Sequence, residues 1–328
     1  MVRCTKTDQE LDALLDASER QCKCLVAPDR ATYEALRRRL KTGEVIRPFP
    51  GMVVRADRWK TLEKTPRAQW RYVQNAYRDL HPEEILCSYS AALEYGLWVS
   101  KSQLGRMHVV RPSPSQVEIT RTMHRHYVPP GEIVSNHGVK MTSLMRTVLD
   151  CSLTASFPEA LAIVDSALRY CNLDLHEYRQ FVHQHASGSA GASRARAAAR
   201  FADGRSENGG ESIVRGKIIE LGYAAPVGLQ VEFMDPVSKN TEFRVDMLFE
   251  RVDGSEVIGE VDGWEKYGES PKTTKGALIK ERQRESYLTA LGIPVMRILF
   301  KRLDEPGYLE NLLQSFGIPK CSENLNRS

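Results

Sequence analysis

The chain reads as an α/β protein of the α+β kind, laid out as successive domains with a mixed central sheet in the last. Three observations predict this. Apolar residues recur at helical spacing in some segments and alternate at strand spacing in others. A Gly-, Ser-, Ala- and Arg-rich stretch, SGSAGASRARAAARFADGRSENGG, separates the last domain from what precedes it. After it the pattern runs helix, three strands, helix, strand, helix. At 328 residues there is room for two or three domains with ample core.

Apolar content of 41% and charged content of 27% are those of an ordinary globular protein. No apolar run reaches the roughly 18 residues of a membrane span, and MVRCTKTDQELD is no signal peptide, so a cytoplasmic protein with no membrane partner is expected. The seven cysteines form no CxxC pair and follow no zinc spacing, which fits reduced thiols. The net charge of +4 is mild, but between positions 31 and 78 twelve basic residues stand against four acidic ones. A local basic block of this kind suits a phosphate-facing surface.

The first domain is placed at 1–62. Residues 7–20 form a helix with Leu11, Leu14 and Leu15 on one side, and ATYEALRRRL (31–40) a second, capped by Asp29. Gly43, a strand at Val45-Ile46, the turn Pro48-Phe49-Pro50-Gly51 and the strand MVVR complete the layout of a winged helix. Arg37, Arg38, Arg39, Lys41 and Arg55 are its candidate DNA contacts. A small helical cap with a solvated basic face is the bland alternative.

A mixed α/β middle domain is placed at 63–186. Helices are expected through Trp70–Leu80, at SYSAALEYG, at TSLMRTVLDC and at PEALAIVDSALRY, with strands near 106–111 and 117–128. His124 and His126 alternate in one of these strands and face one way. With no nearby carboxylate or thiol on the segment, they read as core or surface histidines rather than metal ligands. Residues 187–210 are assigned to a linker with one short helix, 211–318 to the last domain and 319–328 to a tail.

In the last domain, GESIVRGKIIELGY is a helix with Ile213, Ile218 and Leu221 inward and Gly222 as its stop. Strands follow near 229–234, 243–250 and 256–261, then a helix over 275–291, the strand PVMRILF and a closing helix. Asp246, Glu260 and Asp262 lie on two neighbouring strands of a hairpin. Their apolar faces pair only if Leu248 lies opposite Ile258, which brings Asp246 opposite Glu260. That register needs an odd-numbered loop; a two-residue Asp-Gly turn would send the two acids to opposite faces. Clustered carboxylates repel one another unless a cation joins them, so a divalent metal is expected here.

An acidic helix residue, then an Asp, then Glu-x-Lys is the general pattern of the PD-(D/E)XK, restriction-endonuclease-like superfamily, which Glu211, Asp246 and Glu260 with the later Lys266 resemble. Glu211, Asp246, Glu260-Val261-Asp262-Gly263, Lys266-Tyr267-Gly268, Glu281, Arg284-Glu285 and Gly292…Val295-x-Arg297 resemble more closely its branch related to very-short-patch-repair (Vsr) endonucleases. RRLKTGEVIRPFPGMVV, SYSAALEYG, TSLMRTVLD and FPEALAIVDSAL are similar to the N-terminal region of AbiEi-type antitoxins, which precedes that branch in some bacterial proteins.

The resemblance implies a restriction-endonuclease-like fold for 211–318 and a Mg²⁺- or Mn²⁺-dependent deoxyribonuclease with DNA as partner and no organic cofactor. It makes Asp246, Glu260 and Glu211 metal ligands, with Asp262 and Lys266 completing the catalytic set. Glu281 and Arg284, three apart on the predicted helix, stand behind the site as an ion pair. The superfamily's lysine position, two after Glu260, holds Asp262, and no histidine follows His185. These departures keep a second expectation open: an antitoxin-like transcriptional regulator, paired with a cognate toxin, whose nuclease fold is inactive.

Overall fold

The structure, a computed structural model, describes residues 6–321 apart from 64, 112, 114–117, 130, 137, 235–241, 264–286 and 288–291. The chain divides into two compact units, Met1–Glu94 with Val99–Ser143, and Tyr95–Trp98 with Leu144–Ser328. Both mix helices with sheets, as expected. No helix among the described residues is long and apolar enough to cross a membrane.

The first unit opens with α1 (Lys6–Arg20), β1 (Leu25–Val26), α2 (Arg30–Thr42), β2 (Val45–Phe49) and β3 (Met52–Arg55). Asp29 caps α2 by accepting from Thr32 N–H at 2.7 Å, and Gly43 ends it at φ +77°. The buried face of α2, Ala35 and Leu36, meets Leu11 and Leu15 of α1 and Leu25, Val45 and Val53 of the antiparallel sheet β1-β3-β2. The hairpin β2–β3 turns at Gly51, φ +74°, a conformation open to glycine without steric cost.

Helices α3 (Ala56–Thr61), α4 (Pro66–Leu80) and α5 (Ser88–Glu94) follow. Then come β4 (Met107–Arg111), β5 (Glu118–Ile119), β6 (Met123–Tyr127) and the hairpin β7–β8 (Ile133–Asn136, Val139–Thr142). Strands β4 and β6 pair in parallel, with β5 antiparallel on the other side of β6.

In the second unit α6 (Leu144–Thr154), α7 (Phe157–Cys171), α8 (Leu175–His185), α9 (Ala192–Phe201) and α10 (Gly209–Glu220) precede the sheet. Residues 63–94 and 99–143 therefore group with the N-terminal elements, and 95–98 and 144–186 with the C-terminal ones. The Ala/Arg helix expected within the linker is α9. It is packed rather than free, with Ala195 and Ala198 fully buried. Helix α10 is buried nearly all round, its Glu211, Ser212 and Arg215 included, and packs on α7. At Gly216 the approach is so close that a Cβ would lie 2.6 Å from Pro158 Cα. Leu221, expected inward, follows the end of α10 and is 39% exposed, because the helix stops before that turn of the face is completed.

Strands β9 (Gly228–Met234), β10 (Glu242–Glu250), β11 (Glu256–Asp262) and β12 (Val295–Leu299) form one sheet, and α11 (Tyr308–Ser315) follows. The order is β12-β11-β10-β9, antiparallel throughout except for the parallel β11–β12 pair. The sheet is thus mixed, as the sequence pattern predicts. Val245, Leu248 and Ile258 form a buried cluster on it, supported by Val231, Phe243 and Val295.

Candidate functional site

The β10–β11 hairpin has the predicted register. Leu248 lies opposite Ile258 and Met247 opposite Gly259, across an odd loop spanning residues 251–255. Gly259 is required by crowding, since a Cβ there would meet the Phe249 ring at 2.7 Å. One step further along, Asp246 leaves the regular ladder. Its Oδ2 accepts from the backbone N–H of Val261 at 2.9 Å, beside Glu260.

On its other flank β10 pairs with β9 at Val245–Val231 and Met247–Leu229, which leaves Gln230 across from Asp246. Gln230 has φ +53°, a left-handed conformation rare for a side-chain-bearing residue and costing roughly 1 kcal/mol or more. The kink places its amide between two acids. Gln230 Nε2 donates to Glu211 Oε2 at 2.9 Å and lies 3.5 Å from Asp246 Oδ1.

Glu211 sits in the first turn of α10, whose N-cap is Asn208, and the helix dipole there favours an anion. Its remaining donors are Glu207 N–H and Asn208 Nδ2, both at 2.7 Å. The described donors to Glu211 are therefore all neutral. Burial first, and the charge of Asp246 second, push its carboxyl up to about 8 against the pull of those hydrogen bonds. Glu260 is also buried, at 5% exposure. Asp262 lies 3.2 Å from Arg297, a cation on the neighbouring parallel strand.

The donors present suit a hard divalent cation, which prefers carboxylate oxygen. A buried glutamate facing an aspartate, with no cation among its described donors, is a place where such an ion would relieve repulsion. Glu211, Asp246 and Glu260 do not close to a set with all ligand atoms within 4.8 Å, so an ion would have to draw them inward. Lys266, Glu281 and Arg284, expected to complete the site, lie outside the described residues.

The five basic residues expected on DNA divide into two groups. Arg37, Arg38 and Lys41 are exposed on α2, with Arg37 3.6 Å from Glu34. Arg39 instead pairs with Asp12 and lies 3.7 Å from Asp8 and 3.5 Å from Glu44. Arg55 lies 2.8 Å from Asp16 and 3.1 Å from Glu19. These two arginines tie α1 to α2 and β3, and hold Asp12 below the usual carboxylate range.

A second cluster joins His124 and His126, which read from sequence as ordinary histidines, to His108. The parallel β4–β6 pairing sets His108 opposite His124, and His126 follows on the same side of β6. His108 Nδ1 and His126 Nε2 are 2.9 Å apart, and one ring nitrogen from each of the three histidines lies within 4.8 Å of the others. Burial pushes His108 down to about 3 and His126 to about 4, so both rings are neutral at pH 7. The alternation of His124 and His126 was visible; the missing signal was which strand lies beside them.

No protein-family model matches this chain, and no curated protein matches it either.

Proposed function

We propose that the chain is a DNA-binding protein whose C-terminal α/β region is a Mg²⁺-dependent endonuclease-like module acting on phosphodiester bonds. The observation that carries this reading is the meeting of Glu211 and Asp246 across the kinked Gln230. Strain, burial and like charge converge there, a combination that favours a functional site. The order helix, three antiparallel strands, then a strand parallel to the third supports a restriction-endonuclease-like arrangement for 211–318.

In this reading Asp246, Glu211 and Glu260 hold the ion. A bound Mg²⁺ supplies charge neutralisation on the phosphate and a more acidic water. The chain's own contribution is to fix the donors. Val261 N–H anchors one oxygen of Asp246, Gln230 spaces it from Glu211, and Asn208 and Glu207 hold the Glu211 carboxyl in place. Asp262 and Lys266 would orient water or offset charge on the phosphate. Arg37, Arg38 and Lys41 on α2 would contact the DNA backbone, in keeping with a winged-helix role for the first domain.

One observation favours the other reading, a transcriptional regulator with an inactive nuclease fold and a cognate toxin. Asp262 occupies the superfamily's lysine position and lies against Arg297. Incubating the full chain with single- and double-stranded DNA and RNA, with Mg²⁺ and Mn²⁺, separates the two. Cleavage that Asp246→Asn abolishes while DNA affinity persists supports the enzyme. If the wild type cuts none of these with either metal yet binds DNA, the regulator reading stands instead.

A further inference from the structure

We infer that His108, His124 and His126 form a binding site for a divalent transition metal of the zinc class, separate from the carboxylate cluster. The argument starts from strand geometry. Alternation along β6 puts His124 and His126 on one face and sends Arg125 to the other, where it pairs with Glu84 at 2.8 Å. The parallel neighbour β4 adds His108 at the same level, with its backbone N–H on Ser90 Oγ at 2.9 Å and its ring edge-on to Tyr89. Three imidazoles thus come from two paired strands, a more rigid support than a loop.

The spacing suits one ion after a small adjustment. Tetrahedral zinc with Zn–N bonds of about 2.0–2.1 Å needs ligand nitrogens roughly 3.3 Å apart. His108 Nδ1 and His126 Nε2 are 2.9 Å apart, so an ion entering between them replaces their hydrogen bond with a slight opening of the rings. The remaining pairs lie within 4.8 Å. Imidazole suits Zn²⁺, Ni²⁺ or Cu²⁺ and is a poor donor set for Mg²⁺.

Three protein ligands leave a fourth position to water or an anion, as in open zinc sites. Arg106 and Arg111 lie close enough for the imidazoles to feel their charge. The rival reading is a metal-free stack of hydrogen-bonded imidazoles, supported by ring centroids 3.8 Å apart for His124 and His126.

The test uses the full chain, stripped with a chelator, with the exposed Cys22 and Cys321, and Cys4 outside the described residues, replaced by serine to reduce thiol binding. Zn²⁺ binding is measured against a competing chelator and by elemental analysis, and Co²⁺ is added for its visible absorption. The expected result is one Zn²⁺ per chain, a tetrahedral Co²⁺ spectrum, and about tenfold or greater weakening in His124→Gln. Mg²⁺ should not compete. Absence of stoichiometric Zn²⁺ binding overturns the site, as does binding that His124→Gln and His126→Gln leave unchanged. His124 is partly exposed, so its variant is expected to fold; circular dichroism checks this, and the Co²⁺ spectrum of the otherwise unaltered chain tests the site without it.

Discussion

Asp165 on α7 and Glu211 on α10 are buried to nearly the same degree, 2% and 3% exposed, in one packed pair of helices. Asp165 receives Arg215 at 2.6 Å, the Ser212 hydroxyl at 2.6 Å and the Asp203 backbone N–H at 2.8 Å. Glu211 receives three neutral donors and faces a second carboxylate. The chain supplies a cation to the first acid. For the second, no cation is found among its described donors. Burial raises both carboxyls, but only Asp165 has a cation set against that effect; on the proposed reading Glu211 would be the one held for an ion.

The largest expected effect breaks the Asp165 half of this contrast. Arg215→Met leaves Asp165 buried without its cation and should cost about 3–5 kcal/mol in urea denaturation. A loss below roughly 1 kcal/mol would show that Asp165 does not depend on the pair.

The second prediction addresses Glu211 in the presence of a chelator. Its folded value of about 8 lies above the ordinary 4.5, so the folded chain holds an extra proton between those limits. Stability from this group is complete below pH 4.5 and falls as pH rises towards 8. Glu211→Gln should flatten that slope and be the more stable protein at pH 8, by on the order of 2 kcal/mol. Parallel pH profiles for the two proteins would sink the idea that Glu211 is an unrelieved acid.

Gly216→Ala tests the helix contact shared by both acids. A methyl against Pro158 should push α10 from α7 and cost about 1–3 kcal/mol, measured by thermal unfolding. The smallest effect concerns the basic residues, which show the same division. Arg38→Ala should lower the salt slope of DNA binding by about one with little change in stability. Arg39→Ala should act chiefly on stability, because Arg39 is held by Asp12.

The hairpin register was legible because Leu248 and Ile258 had one place to go, and burial made that choice binding. The acids followed from it. Glu211 came from resemblance, since nothing in local spacing links a helix start to a strand two elements later. The strain at Gln230 left no mark at all, because glutamine is no signal for a left-handed backbone. Arg39 and Arg55 were misleading in isolation, as their partners lie far back on α1. Strand β7 was missed because its residues are exposed on both faces and carry no alternation.

The hydrogen bond from Val261 to Asp246 has a consequence for ion choice. The Asp246 carboxylate has one oxygen on the Val261 N–H at 2.9 Å and the other 3.5 Å from Gln230 Nε2, so it has little freedom to swing. Large ions such as Ca²⁺ gain from two-oxygen, splayed coordination, whereas small octahedral ions take one oxygen per carboxylate and keep their waters. On the proposed metal-binding reading the strand would therefore discriminate by ionic radius, with Asp246 held in place during folding rather than on binding.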